Sequence, residues 1–178
     1  MNFEKNFFFP IDFLKNLKSE KPKIHSKNHL ENPTVSVVMP SFNQEKYIEK
    51  SILSVLNQDY PFKQLIIIDG GSTDGTVEVI KKYDDHIDYW VTEKDKGQSD
   101  ALNKGFKICT GDIYCWLNSD DIFLPGAFNL AVKELKKDNK KICYGDWLYI
   151  NENDQVIDRH YAFDLNVNHL KYEGFHFS

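Results

Sequence analysis

From residue 34 onward, short apolar runs alternate with segments whose apolar residues recur at helical spacing. The continuous apolar run Gln64–Ile68 is typical of a parallel strand that is buried on both faces. The segment Thr76–Tyr83 follows it, with apolar residues three and four positions apart, as on one face of a helix. This alternation predicts an α/β fold with a mostly parallel open sheet and helices on both of its faces.

The same patterns divide the chain into elements. Further strands are predicted at Thr34–Met39, Ile87–Val91, Ile113–Leu117 and Ile142–Tyr149, and further helices at Glu45–Asn57, at Ser99–Cys109 and from Pro125 onward. Ser72 or Thr73 is expected to cap the helix that starts at Thr76. The turn-forming run Asn151–Asp154 predicts that Val156–Tyr161 returns as the second strand of a C-terminal β-hairpin. We therefore predict one domain over residues 34–178.

Residues 1–33 differ in composition and are predicted to be an N-terminal arm or linker. A phenylalanine-rich start is followed by a lysine-rich stretch that Pro22 and Pro33 interrupt. Packing on the domain is the favoured interpretation. A peripheral membrane contact through aromatic rings and lysines is an alternative, and a partner-binding segment is another.

Charge and cysteine usage restrict the function. The formal net charge is −5 and no basic cluster approaches a nucleic-acid footprint, so binding of nucleic acid is disfavoured. No apolar run approaches the ~20 residues of a membrane span. The three cysteines lack paired spacing, and Cys109 and Cys115 are expected to be buried free thiols in a reducing compartment. These features predict a cytoplasmic protein, with the membrane surface as an alternative location.

Carboxylates follow two of the predicted strands, at the point where each strand ends. Asp69 follows the second strand, and Asn118, Ser119, Asp120 and Asp121 follow the fourth. Ligands of open α/β sheets bind beyond the carboxyl ends of the strands. Mn²⁺ and Mg²⁺ take oxygen ligands, and Mg²⁺ commonly uses one or two carboxylates plus substrate phosphates. We predict that Asp120 and Asp121 hold such an ion and that Asn118 holds a ribose hydroxyl.

The loops after the other two strands leave alternatives open. Phe42, after the first strand, can stack on a base or belong to the core, and the segment alone favours the core. Gly97, after the third strand, opens a helix whose N-terminus can face a phosphate, although a solvated charged loop is an equal alternative. Gly70 and Gly71 are expected to let the backbone approach a ligand closely.

Together these segments resemble the family 2 glycosyltransferases of the GT-A fold, in the half that binds the donor. The resemblance covers about half the chain, from Val35 to Gly126. It rests on matching segments in the family's order, namely Val35–Asn43, Ile68–Thr76, Gly97–Gly105, Gly111–Asp112 and Asn118–Asp121.

The resemblance implies a role for each matching residue. Pro40, Ser41 and Phe42 would line the nucleotide pocket, and Asp69 would bind the base. Asn118 and Ser119 would contact the ribose, Gln98 would contact the donor, and Asp120 would bind the metal that bridges the diphosphate. Such enzymes move a sugar from a nucleoside diphosphate, here UDP or a close relative, to an acceptor hydroxyl with inversion. The acceptor can be a saccharide, a lipid or a protein.

Three departures from the family pattern affect the prediction. Asn118 replaces the first aspartate of the family's Asp-x-Asp motif, and Gln44 stands where glutamate is frequent. The family's catalytic base lies in an acceptor-side segment after the hairpin, so we expect the base beyond Ser178. A nucleotide-sugar-binding module without catalysis is therefore the alternative function. An actin-like sugar kinase is disfavoured because a helical pattern, rather than a second strand, follows Asp69–Thr73.

Overall fold

The computed structural model describes residues 31–137 and 142–162, which belong to two compact units. The first unit alternates strands and helices as the apolar pattern predicts. Its strands are β1 (Val35–Ser41), β2 (Lys63–Asp69), β3 (Tyr89–Thr92) and β4 (Ile113–Trp116). Its helices are α1 (Ile48–Leu56), α2 (Thr76–Lys82), α3 (Gln98–Ile108) and α4 (Ala127–Lys136), with a short 3₁₀ turn at Asp84–His86.

The four strands form one parallel sheet in the order β3-β2-β1-β4. β1 is central and pairs with β2 along its whole length, from Val35 opposite Lys63 to Ser41 opposite Asp69. Its pairing with β4 stops at Val38 opposite Trp116. Pro40 lies beyond that point, and its backbone nitrogen faces the same edge of β1 as the backbone groups of Val38, towards β4. Because the pairing with β4 has already ended there, the missing N–H of Pro40 removes no hydrogen bond from the ladder.

Apolar side chains fill both faces of the sheet. On one face, Val37 and Met39 of β1 and Leu65 and Ile67 of β2 are fully buried against α1, α2 and α4. On the other face, Ile66 and Ile68 pack with Ala101 of α3. This arrangement confirms the predicted α/β architecture with helices on both faces.

The second unit contains an antiparallel hairpin of β5 (Trp147–Ile150) and β6 (Val156–His160). The Trp147 ring stacks on the ring of its cross-strand partner His160, with the centroids 5.0 Å apart. Arg159 pairs with Asp146 at 2.6 Å. The predicted hairpin is thus confirmed, although its first strand begins at Trp147 rather than at Ile142.

The start of α4 and the cap of α2 differ from the prediction, and α1 begins at Ile48 rather than at Glu45. Pro125 is not the first residue of α4, because Gly126 adopts a left-handed conformation (φ 80°) and the helix begins at Ala127. The first residue of α2 follows Gly75, which has no side chain to act as a cap. Ser72 and Thr73 do not cap this helix, and instead the Asp74 carboxylate accepts the Thr76 N–H at 3.0 Å.

The predicted N-terminal arm lies outside the described residues, apart from residues 31–33. Within the described residues no helix is long and apolar enough to cross a membrane. Cys109 and Cys115 are half-buried free thiols, and Cys143 is an exposed free thiol. Burial raises the pKa of Cys115 to about 12, so this thiol stays protonated at neutral pH.

Candidate functional site

The strand order places a switch point between β1 and β4. The chain leaves β1 for β2 on one side, and β4 adds to the opposite side of β1. In open α/β sheets, ligands bind at such a point, outside the carboxyl ends of the strands. Ser41 ends β1, and Asn118 follows the last residue of β4 by two positions. The residues predicted from the sequence therefore flank this switch point.

At the end of β4, three polar side chains form a connected set. The amide of Gln98, the first residue of α3, donates to Asn118 Oδ1 at 2.6 Å. The Asn118 amide in turn donates to Asp121 Oδ2 at 3.0 Å. The sequence places Gln98 and Asn118 twenty positions apart, and only the fold shows that they touch. Asn118 thus orients one of the two predicted metal ligands.

Asp120 and Asp121 are both exposed residues at this edge. The carboxyl group of Asp121 is nonetheless partly buried, and this burial raises its pKa. The hydrogen bond from Asn118 opposes this rise and the charge of Asp120 adds to it. A nearby divalent cation would relieve the repulsion between the two carboxylates.

The donor set fits a metal that the substrate helps to bind. No group of three or more His, Cys, Asp or Glu side chains within the described residues could hold a metal by itself. Asp120 and Asp121 supply two carboxylates, and Mg²⁺ sites commonly combine one or two carboxylates with substrate phosphates. These residues would therefore hold Mn²⁺ or Mg²⁺ together with a diphosphate.

At the end of β1, a buried hydroxyl adjoins an exposed ring. Ser41 is 5% exposed, and its Oγ has no hydrogen-bond partner within the described residues. Buried polar atoms are normally paired, so an unpaired one at a strand end is consistent with a ligand group that completes it. Phe42 is 59% exposed, so the core interpretation favoured by its segment is wrong. Pro40 is buried within the strand.

Asp69, at the end of β2, is fully buried and its carboxylate accepts four hydrogen bonds. Ser72 Oγ donates to Oδ1 at 2.5 Å, and Thr92 Oγ1 of β3 donates to Oδ2 at 2.6 Å. The N–H groups of Gly71 and Ser72 also donate to Oδ2. A carboxylate offers about four lone-pair sites. In this conformation Asp69 therefore shapes the loop after β2, and its predicted contact with a base remains a prediction.

The loop after β1 is fastened to the loop after β2 by three consecutive backbone N–H groups. Asn43 N donates to Ser72 Oγ at 2.8 Å, Gln44 N to Thr76 Oγ1 at 2.7 Å, and Glu45 N to Asp74 Oδ2 at 3.1 Å. We call these contacts the loop bridge. Dinucleotide-binding folds use free N–H groups of the loop between the first strand and the first helix, and of that helix's N-terminus, for a pyrophosphate. Here three N–H groups of the corresponding loop are already used, which favours a diphosphate site elsewhere.

Gly70, directly after β2, lies against the loop that precedes α3. A Cβ on Gly70 would lie 2.9 Å from Asp95 Oδ2, so the missing side chain makes room for that carboxylate. Asp95 in turn accepts the N–H of Gly97, the residue before α3. Gly70 thereby permits a contact between two loops, and the close approach of a ligand to Gly70 and Gly71 stays a prediction. This contact helps to fix the start of α3, where Gln98 stands.

The sequence reasoning missed two residues of this region. Thr92 was assigned no role, yet it fixes Asp69 from the neighbouring strand. Asn43 has a left-handed backbone (φ 53°), and its Oδ1 accepts the Thr73 N–H at 2.9 Å. Asparagine tolerates this conformation better than most residues, so an asparagine directly after a strand was a usable signal.

Comparison with known proteins agrees with this geometry. The sequence model of "Glycosyl transferase family 2" matches residues 36–177. The chain belongs to this glycosyltransferase family.

Two similar proteins of Escherichia coli carry functional names. One is UDP-Glc:alpha-D-GlcNAc-diphosphoundecaprenol beta-1,3-glucosyltransferase WfgD, 35% identical over 123 residues, which are 68% of this chain and 49% of that protein. The other is chondroitin synthase, 34% identical over 126 residues, which are 70% of this chain and 18% of that protein. The chain thus spans half or less of the length of these relatives.

Solved structures share the fold. The mannosyltransferase PcManGT from Pyrobaculum calidifontis, in complex with GDP-Man and Mn²⁺, is 25% identical with a TM-score of 0.55, over 81% of this chain and 42% of that one. TarS 1–349 from S. aureus, in complex with UDP-GlcNAc, is 24% identical with a TM-score of 0.55, over 60% of this chain and 32% of that one. Both likenesses support the GT-A type of glycosyltransferase fold.

Proposed function

We propose that the chain binds the donor of an inverting glycosyltransferase that moves a sugar from a UDP-sugar to an acceptor hydroxyl. The observation that carries the proposal is the polar set Gln98–Asn118–Asp121 beside the exposed carboxylate of Asp120, at the switch point of the sheet. Membership of glycosyl transferase family 2 supports sugar transfer. The UDP-glucose named in the WfgD relative supports a uridine nucleotide.

The donor residues divide by the part of the donor that they would contact. Phe42 is exposed and can stack on the base, and the unpaired Ser41 hydroxyl beside it can bond the nucleotide. Asn118 and Ser119 would hold the ribose, with Gln98 fixing the Asn118 amide. Pro40 and Asp69 would shape the pocket from the strand ends beneath it.

Asp120 and Asp121 would hold Mn²⁺ or Mg²⁺ at the diphosphate. When bound, such an ion stabilises the charge that develops on the leaving diphosphate. The Mn²⁺ and GDP-Man of the structurally similar mannosyltransferase support this assignment. The role of the two carboxylates is to place the diphosphate at the switch point, and the Asn118 contact keeps Asp121 in a fixed orientation.

For the acceptor, we propose a sugar hydroxyl, either on a glycan or on a lipid-linked saccharide. The diphosphoundecaprenol-linked acceptor named for WfgD supports the lipid-linked case, which would place the protein in the cytoplasm at the membrane surface. The family resemblance puts the catalytic base in an acceptor-side segment after the hairpin. The residues described here are accordingly assigned to the donor alone.

A thermal-shift panel tests the proposed donor. The panel contains UDP, GDP, ADP, their common sugar derivatives and ATP, each with Mn²⁺ and with a chelator. A ligand that binds the folded state alone raises the melting temperature. We expect UDP compounds with Mn²⁺ to give the largest shift. Equal shifts with Mn²⁺ and with the chelator would contradict the metal-bridged diphosphate. A response to ADP or ATP alone would contradict the donor assignment.

A further inference from the structure

We infer that Thr76 and Asp74 are positioning residues for the donor base, because through the loop bridge they hold Phe42 at the edge of the nucleotide site. This inference rests on the proposed function. It assigns roles to two residues that would not themselves touch the donor. Thr76 is fully buried and lies at the first position of α2, one strand away from Phe42.

The Thr76 hydroxyl makes two hydrogen bonds within the loop bridge. Thr76 Oγ1 accepts the Gln44 N–H at 2.7 Å and donates its own hydrogen to Asp74 Oδ1 at 2.5 Å. Both functions of this hydroxyl are therefore used within the loop bridge. Replacing it with a methyl group of the same shape would leave the Gln44 N–H without its acceptor, and an unpaired backbone N–H is costly.

Asp74 contributes a charged acceptor to the loop bridge. Its carboxylate accepts the Glu45 N–H at 3.1 Å and the Thr76 N–H at 3.0 Å besides the Thr76 hydroxyl. These hydrogen bonds, first that of the Thr76 hydroxyl, lower the pKa of Asp74, so the group is ionised at neutral pH.

The loop bridge directly follows Phe42 in the chain. The bridged N–H groups belong to residues 43, 44 and 45, directly after Phe42. On the other side of Phe42, the Ser41 carbonyl accepts the Gly70 N–H at 2.8 Å, so this end is also fastened to the loop after β2. An exposed ring has few contacts of its own to fix it. Its position is set by the backbone on both sides, and both sides depend on the loop after β2.

The test uses the full chain, two variants of Thr76, one variant of Asp74 and one control variant. Thr76→Val removes the hydroxyl and keeps the shape, whereas Thr76→Ser keeps the hydroxyl. Asp74→Asn removes the charge, and Asp85→Asn is the matched control at an exposed aspartate near the end of α2. Affinity for UDP with Mn²⁺ is measured by calorimetry. We expect Thr76→Val and Asp74→Asn to weaken it about tenfold, and Thr76→Ser and Asp85→Asn to leave it near the parent value.

A double-mutant cycle separates positioning from general destabilisation. If Thr76 acts by holding Phe42, Thr76→Val has little further effect on UDP affinity once Phe42→Ala is present. Hydrogen exchange of the Asn43, Gln44 and Glu45 amides in the ligand-free protein is measured in parallel and needs no nucleotide. We expect Thr76→Val to accelerate exchange at these amides while β1 and β2 stay protected.

Unchanged exchange at these amides, or additive effects of Thr76→Val and Phe42→Ala, would overturn the inference. A parent protein that binds neither UDP nor GDP would instead overturn the proposed donor, and the exchange data would then decide by themselves whether Thr76 fixes the loop.

Discussion

At the scale of single residues, the aspartate that ends β2 and an aspartate that follows β4 have different surroundings, so their substitutions should have different effects. Asp120 is exposed beside Asp121, whereas Asp69 is buried with four hydrogen bonds to its own chain. We predict that Asp120→Asn abolishes the metal-dependent part of UDP binding and leaves the stability of the fold unchanged, because a neutral amide is a poor ligand for Mn²⁺. Calorimetry with Mn²⁺ and with chelator measures the first effect. Wild-type metal dependence in this variant would contradict the assignment.

Asp69→Asn should lower the stability of the fold and leave the metal dependence of UDP binding intact. An amide in place of the carboxylate cannot accept all four hydrogen bonds and would direct its own N–H groups at donors such as Thr92 Oγ1. We predict a loss of about 1–3 kcal/mol in the free energy of unfolding, weaker UDP binding and intact metal dependence. Urea denaturation measures the loss, with Thr92→Val expected to show part of it. A variant as stable as the parent would contradict the structural role.

At the scale of elements, the packing of α3 on β1 depends on one glycine. A Cβ on Gly105 would lie 2.3 Å from Val38 Cγ1, far inside van der Waals contact. We predict that Gly105→Ala destabilises the protein by about 1–3 kcal/mol, because it overpacks a close-fitted interface. The control is Asn103→Ala on the exposed side of the same helix, which should be neutral or stabilising because alanine favours helices. Denaturant titration compares the two.

The contact of α1 with α2 should depend on pH at the alkaline end. Tyr83, directly after α2, donates its hydroxyl to Glu49 of α1 at 2.9 Å. Burial, and then the bond to Glu49, raise the pKa of Tyr83 to about 12. Because the folded-state pKa lies above that of the unfolded chain, this contribution is complete below about pH 10 and is lost as the pH rises towards 12. We predict a steeper fall in stability from about pH 10 to pH 12 for the parent than for Tyr83→Phe. Urea midpoints measure it, and parallel curves would contradict it.

The elements were predictable from the sequence to the extent that their signal is local. The apolar run before Asp69 and the helical spacing after Thr76 identify β2 and α2 without further information. The exposure of Phe42 was not predictable, because the direction of a side chain at a strand end depends on the neighbouring loop. The contact of Gln98 with Asn118 joins α3 to the end of β4. No local pattern encodes such a long-range pairing.

At the scale of the whole molecule, residues 34 onward were predicted to hold the nucleotide site without the N-terminal arm. The sheet begins at Val35, and two residues shortly before it are hydrogen-bonded to side chains that follow much later in the chain. The Pro33 carbonyl accepts the Tyr60 hydroxyl at 2.5 Å, and the Glu31 carbonyl accepts the Lys136 ammonium group. A deletion that tests the arm should therefore end at residue 30 and leave residues 31–33 in place.

We predict that the protein lacking residues 1–30 folds and binds UDP with Mn²⁺ as the full chain does, since the polar set at the end of β4 and the loop bridge lie wholly within residues 41–121. Circular dichroism and calorimetry on both proteins measure this. The matched control removes residues 1–33, which also deletes the Pro33 carbonyl that Tyr60 bonds, and it should be less stable than the 1–30 deletion. Loss of folding in the shorter deletion would show that the phenylalanine-rich start belongs to the core or to a subunit contact.

Sedimentation with anionic vesicles tests the membrane alternative. That alternative predicts that the full chain binds the vesicles, that salt weakens the binding, and that the 1–30 deletion does not bind.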